Sequence, residues 1–298
     1  MIGVPGEILA EVERTLETQR GGGAVKSVRP VGGGCISPCA RVEVSGEAFF
    51  LKWSRAGDTP ADFFAAEARS LEALRGSSAV HVPVVRGSAE RWLLLEWLEP
   101  AQPTTAGWSH LGRALATLHA KPQPCFGWPE PNYIGALPQV NHPTASWGAF
   151  WRERRLAPQL ERAYRAGYFA LAERRRFERL LVRMETLLHT GDGEGPSLLH
   201  GDLWSGNVLF TIPGIAALID PSVYCGHREV DLAMAELFGG FHTNFFSAYR
   251  EARPLRQGYV ELRRPLYQLY YQLVHVNLFG RGYVSGVVDS LAAAEAAM

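Results

Sequence analysis

Apolar positions follow two rhythms along this chain, and the change between them divides it. Ile8, Leu9, Val12 and Leu16 recur at helical spacing, which predicts a helix over residues 5–20 with one apolar face. From Val25 to Trp53 the spacing shortens. "ARVEVSG" and "EAFFLKWS" alternate or run apolar around turn residues, which predicts strands with a hairpin at Gly46. "DTPADFFAAEARSLEALRG", residues 58–76, returns to helical spacing, with Asp58 or Thr59 as cap, Pro60 in the first turn and Gly76 at the end. "HVPVVRG" and "RWLLLEWLEP" read as two further strands, the second ending at Pro100.

Beyond residue 100 the helical period dominates, over 107–120, 147–165, 168–189, 229–239 and 255–279. A β-like pair, Ser197–Phe210 and Ala216–Ile219, is set among these helices. Pro, Ala, Thr and Gly gather in "EWLEPAQPTTAG", where the character changes. The expected architecture is therefore α+β and two-lobed: a β-rich lobe over 1–98, a mainly helical lobe over 99–298, and a cleft between them.

Composition excludes several classes. Thirty basic and 30 acidic residues cancel over 298 positions, so no global field draws the chain to nucleic acid or membrane. No apolar run approaches the roughly 20 residues a bilayer requires. The opening "MIGVPGEILAEVERTLE" lacks the basic-then-apolar pattern of a signal peptide. Cys35, Cys39, Cys125 and Cys225 are too few for a disulfide framework and form no CxxC pair. A cytoplasmic protein with a small-molecule partner, and neither a nucleic-acid nor a membrane partner, is the expectation.

The densest chemistry lies in "LLHGDLWSGNVLF", residues 198–210, where His200, Asp202 and Asn207 interrupt an apolar stretch. Asp220 follows Asn207 by 13 residues. Phosphoryl transfer uses such a set: one carboxylate orients the attacking hydroxyl, while an amide oxygen and a second carboxylate hold Mg²⁺ on the phosphates. Asp-x₄-Asn has the spacing of a kinase catalytic loop. The plain alternative is a polar loop whose Asp and Asn make turn hydrogen bonds.

Upstream residues fit the same chemistry in the expected order. Lys52, inside the strand "AFFLKWS", precedes Glu67 of the 58–76 helix by 15 residues. A strand lysine aligned by a helix glutamate can grip nucleotide phosphates; a strand lysine facing solvent is the alternative. Gly32, Gly33, Gly34 and Cys35 follow a strand and precede Lys52, and glycines let backbone N–H groups approach phosphate oxygens. At the end of the small lobe, the Glu96 C=O and the Leu98 N–H can meet an adenine edge. Asp231 opens a helix, where it can cap it or bond the catalytic loop from below.

With these residues in hand, the chain resembles the fructosamine-3-kinase (ketosamine-3-kinase) family, within the aminoglycoside-phosphotransferase branch of the protein-kinase-like fold. "GGGCIS" (32–37), "FLKW" (50–53), "FFAAEARSLEALR" (63–75), "FGWPEPNYIGALPQVN" (126–141), "WGAFWRERRLAPQL" (147–160), the 198–210 segment and "DPSVYCGHREVDLAMAELFGGF" (220–241) carry the likeness. The resemblance implies a five-stranded small lobe, Asp202 as base, Asn207 and Asp220 as Mg²⁺ ligands, and a Lys52–Glu67 phosphate-aligning pair. It also implies transfer of the γ-phosphoryl of ATP to the 3-hydroxyl of a ketosamine, small-molecule or protein-bound, leading to deglycation. A kinase for an aminoglycoside, choline or a sugar is the alternative, and GTP remains open as the nucleotide. A protein kinase is disfavoured, because the region after Asp220 reaches the helix at 229 too quickly to hold an activation segment and no A-P-E is present. A pseudokinase would lack one of the five charged or amide groups, and none is missing.

Two residues add expectations of their own. Trp204 either stacks on the apolar face of a sugar or packs against the helical lobe. Cys35, beside the glycine run, is either a small filler or a thiol whose oxidation would give a redox-sensitive dimer in place of a monomer.

Overall fold

The computed structural model describes residues 3–21, 23–32, 37–189, 194–212 and 214–297. In chain order they form α1 (Gly6–Arg20), β1 (Val25–Val31), β2 (Cys39–Val44), β3 (Glu47–Trp53), α2 (Phe63–Gly76), β4 (Val85–Ala89), β5 (Trp92–Glu96) and α3 (Thr105–Ala120). Then come β6 (Asn132–Ile134), β7 (Leu137–Gln139), α4 (Trp147–Phe150), a π turn (Trp151–Leu156), α5 (Ala157–Arg165), α6 (Leu171–Leu187) and β8 (Ser197–Leu199). The rest are β9 (Val208–Thr211), β10 (Ile215–Leu218), β11 (Tyr224–Gly226), α7 (Glu229–Leu237), α8 (Thr243–Ala252), a second π turn (Tyr259–Arg263), α9 (Arg264–Phe279) and α10 (Val284–Ala296).

The chain divides into two compact units, Met1–Gly107 with Gly206–Pro221, and Trp108–Ser205 with Ser222–Met298. The first unit is built on an antiparallel five-stranded sheet of order β1-β2-β3-β5-β4. Ser45 and Gly46 both have positive φ (53° and 86°), the backbone of a tight hairpin whose twist suits the flanking strands. Alternation sends Ala40, Val42, Val44, Phe49, Leu51, Trp53, Trp92 and Leu94 to one face, where Ile8, Val12 and Leu16 of α1 cover them. By the same period Lys52 falls on the opposite face of the central strand, paired in register with Cys39 and Leu93. The β9–β10 hairpin joins this unit through Leu218 N–H to His81 O (2.9 Å) and Ala101 N–H to Phe210 O (2.7 Å).

The second unit is mainly helical. Its core is aromatic: Trp147, Phe150, Trp151, Tyr224, Tyr267, Tyr270 and Tyr271 are buried and meet at ring separations of 5.0 to 6.1 Å. Two short antiparallel strand pairs sit in it, the β6–β7 hairpin and the β8–β11 pair.

Several elements differ from the sequence expectation. The helix expected over 58–76 begins at Phe63, because Thr59 spends its hydroxyl on Ser54 Oγ (2.8 Å) and neither it nor Asp58 caps. Of "HVPVVRG", only the part from Val85 onward is strand, and His81 makes an isolated bridge to Ala217. Of the β-like pair, Val208–Phe210 and Ala216–Leu218 do pair, as β9 with β10, whereas Ser197–Leu199 forms a separate strand, β8, whose partner is β11. The helix over 147–165 contains Pro158, which would lose a hydrogen bond and clash in a regular interior. A π turn directly upstream puts Pro158 in the first turn of α5, and Pro265 sits the same way after the second π turn. α8, α10, the β6–β7 hairpin and β11 were not anticipated.

Candidate active site

Three charged groups of the sequence reading meet in the first unit. Lys52 Nζ lies 2.7 Å from Glu67 Oε1 and 2.5 Å from Asp220 Oδ1. β3 presents the lysine on the face away from α1, and α2 carries Glu67 on its inward side. Burial by itself would lower the Lys52 pKa, but the two carboxylates outweigh it and hold the ammonium well above the ordinary lysine range. Glu67 moves up to about 6: burial raises it, Lys52 opposes, and the Asp220 charge adds to the rise.

Asn207 and Asp220 are held side by side by backbone. Ile219 N–H donates to Asn207 O (3.1 Å) at the open end of the β9–β10 hairpin, so Asp220 leaves the hairpin beside Asn207. Asp220 adopts the left-handed conformation with φ 54°, which aspartate tolerates better than a branched residue. A buried amide side chain and a part-exposed carboxylate supply hard oxygen donors, which fit a divalent cation such as Mg²⁺.

Asp202 belongs to the second unit, on the loop after β8. That loop is fixed by its backbone. Asp231 accepts from His200 N–H at 2.8 Å and from Gly201 N–H at 2.9 Å, and Tyr271 Oη donates to Gly201 O at 2.8 Å. Asp231 is therefore a clamp under the loop rather than a simple helix cap. Gly201 has φ 83° and lies so close to Ser222 that a Cβ would strike its carbonyl oxygen, so no other residue fits there. Asp202 N–H donates to His200 Nδ1 (3.3 Å), which closes the turn.

The other expected positions vary. Glu96 uses its carboxylate on Val84 N–H (3.1 Å), while the Leu98 N–H makes no hydrogen bond among the described residues. Trp204 is half-buried, with its N–H on Asp202 O (3.1 Å) and no ring contact among the described residues. Gly32 lies in a bend with open space at its Cα. Gly33, Gly34 and Cys35 lie outside the described residues.

Two buried polar clusters in the second unit received no role from the residues alone. Asn132 Oδ1 accepts from Gln139 Nε2 (3.1 Å) and Asn141 Nδ2 (2.8 Å), and its own amide donates to Val223 O (2.7 Å). Arg155, in the first π turn, donates to Asn141 Oδ1 (2.7 Å) and stacks 3.9 Å from the Tyr224 ring centre. The polar letters of "NYIGALPQVN" were the available signal; their distance from any charged motif hid it. In the second cluster Glu194 holds His227 (2.8 Å) and Arg228 (2.7 Å), and Glu229 holds Arg263 (2.6 Å). Burial would raise the Glu194 pKa, but His227 and Arg228 outweigh it and bring it down to about 2. The ligand atoms of Glu194, His227 and Glu229 lie within 4.8 Å of one another, yet two guanidinium groups already neutralise the carboxylates.

No helix of the described residues is long and apolar enough to cross a membrane. The sequence profile of the fructosamine kinase family matches residues 8–295. A Synechocystis protein bearing the name ketoamine kinase is 40% identical over 87% of each chain. A chloroplastic protein-ribulosamine 3-kinase of Arabidopsis thaliana is 35% identical over 89% of this chain and 81% of its own. A crystal structure from Thermobifida fusca, bearing the name fructosamine-3-kinase, superposes with TM-score 0.87 at 38% identity, covering 99% of this chain and 100% of that one. A gentamicin-bound aminoglycoside phosphotransferase, at 14% identity and TM-score 0.64 over 99% of both chains, shares the fold.

Proposed function

The chain belongs to the fructosamine kinase family, and from that premise we propose that it transfers the γ-phosphoryl group of ATP to the 3-hydroxyl of a ketosamine. It is an ATP-dependent phosphotransferase with a hydroxyl acceptor and a protein-kinase-like fold. The observation that carries the reading is Lys52 held between Glu67 and Asp220 within one unit.

Each residue then has a task. Lys52, oriented by Glu67, binds nucleotide phosphate oxygens. Asn207 and Asp220 would hold Mg²⁺, which when bound neutralises charge on the transferring group. Asp202 orients the sugar 3-hydroxyl and accepts its proton, so the oxygen forms the new P–O bond as the bond to the ADP oxygen breaks. Trp204 offers its ring to the sugar face. The Glu96 C=O and Leu98 N–H receive the adenine edge.

Purified protein with Mg-ATP should phosphorylate a fructose-lysine or ribulose-lysine adduct and leave an aminoglycoside and choline unmodified. Product on the aminoglycoside or choline alone would keep the fold and overturn the acceptor.

A further inference from the structure

Asp231 fixes the catalytic loop, and a buried histidine fixes Asp231. His119, near the end of α3, is fully buried; its Nε2 lies 3.2 Å from Asp231 Oδ2 and its Nδ1 2.9 Å from Tyr249 Oη. Arg228 NH1 lies 3.3 Å from that same Tyr249 oxygen. The donors can be ordered from the end that has no freedom. A guanidinium only donates, so the Tyr249 oxygen accepts from Arg228 and its hydroxyl proton is available to His119. The Asp231 carboxylate accepts two loop amides, so the histidine must approach it with an N–H. The Asp231 end requires the proton on Nε2, and a Tyr249 hydroxyl proton turned to His119 pairs with the neutral tautomer, which keeps a lone pair on Nδ1.

We propose that His119 is a positioning residue of the catalytic loop. In its Nε2–H tautomer, selected by Tyr249 and Arg228, it orients Asp231, which aligns the His200 and Gly201 amides next to Asp202. Burial lowers the His119 pKa, with Arg228 and Arg253 adding to that against Asp231, which keeps the ring neutral. Arg253 NH1 also donates to the His119 carbonyl (2.6 Å), so the backbone of the ring is anchored independently of its side chain. The effect on turnover rests on Asp202 being the base of the proposed reaction.

The test compares kcat and both KM values on an accepted ketosamine for wild type, His119→Leu, His119→Gln and Tyr249→Phe, with thermal unfolding and ¹⁵N NMR of the histidine rings. A misaligned catalytic group costs on the order of 100-fold, so His119→Leu should lower kcat by roughly that factor with both KM values within about twofold. His119→Gln, which can place an N–H where Nε2 stands, should recover most of the loss. The wild-type His119 should show a protonated Nε2 and a bare Nδ1. If His119→Leu fails to fold, Tyr249→Phe carries the test: it keeps the ring, removes the tautomer selector, and should lower kcat with mixed His119 tautomers. Unchanged kcat in folded His119→Leu, or a proton on Nδ1 in wild type, would overturn the inference. Wild type inactive on every ketosamine would instead overturn the functional reading, and with it the claim on turnover.

Discussion

Asp220 Oδ1 reaches Lys52 Nζ at 2.5 Å from a residue held at φ 54°. The carboxylate thus has two duties: it compensates a buried ammonium, and it lies beside Asn207, where a divalent cation would bind. Asparagine tolerates the same backbone as aspartate and keeps the shape. Asp220→Asn should therefore keep the backbone but melt at a lower temperature, since Lys52 then has only Glu67 as counter-charge, and lose at least about 100-fold in kcat, the usual scale for removing one electrostatic stabiliser. Circular dichroism melts and steady-state kinetics check this; retained turnover would exclude Asp220 from the metal set.

The Glu194 carboxyl predicts an acid limb in stability. Its carboxyl is held down at about 2 by His227 and Arg228, below the ordinary glutamate value of 4.5, so its contribution is complete above about pH 4.5 and is lost as pH falls towards 2. Glu194→Gln should be less stable than wild type at neutral pH, and its stability should vary less between pH 4.5 and 2. Urea unfolding at several pH values reads both. Parallel curves for the two proteins would show that Glu194 is not the responsible group.

Asn132 is the hub of a buried amide network. Asn132→Ala removes the acceptor shared by Gln139 and Asn141 and strands their buried donors, at about 1–3 kcal/mol each. The expected outcome is a stability loss of about 2–4 kcal/mol by denaturant unfolding. A loss below about 0.5 kcal/mol would mean that water fills the site.

Trp204 is half-buried on the loop that carries Asp202, and the proposed stacking of its ring on a sugar is tested by substitution. Trp204→Ala should lower kcat/KM on a ketosamine about tenfold, a little over 1 kcal/mol, while Trp204→Phe should keep most of it. Equal values for all three proteins would remove the stacking role.

Much of the fold was legible because most elements are amphipathic. The period-2 and helical patterns marked α1, the five-stranded sheet and most long helices, while the face Lys52 takes, away from α1, came from the structure. What escaped has a physical cause in each case. α10 carries Gly286 and three valines, and β6, β7 and β11 are three residues each, too short for a period to register. The π turns hid how Pro158 and Pro265 are accommodated, since sequence gives no sign of an extra residue in a turn. In the site, charged residues at kinase spacing announced themselves. His119, Arg155 and Asn132 act through partners as far as 130 positions away in sequence, and no local pattern encodes such pairs.

The most direct measurement is phosphorus NMR of a fructose-lysine adduct incubated with Mg-ATP and wild type, with Asp202→Asn in parallel. The account predicts a phosphate monoester resonance coupled to the proton on carbon 3, with ADP formed in equal amount. It also predicts that Asp202→Asn is slower by roughly 100- to 10,000-fold, the range for loss of a general base. Phosphate on another carbon, ADP with no sugar ester, or an Asp202→Asn rate equal to wild type would contradict it.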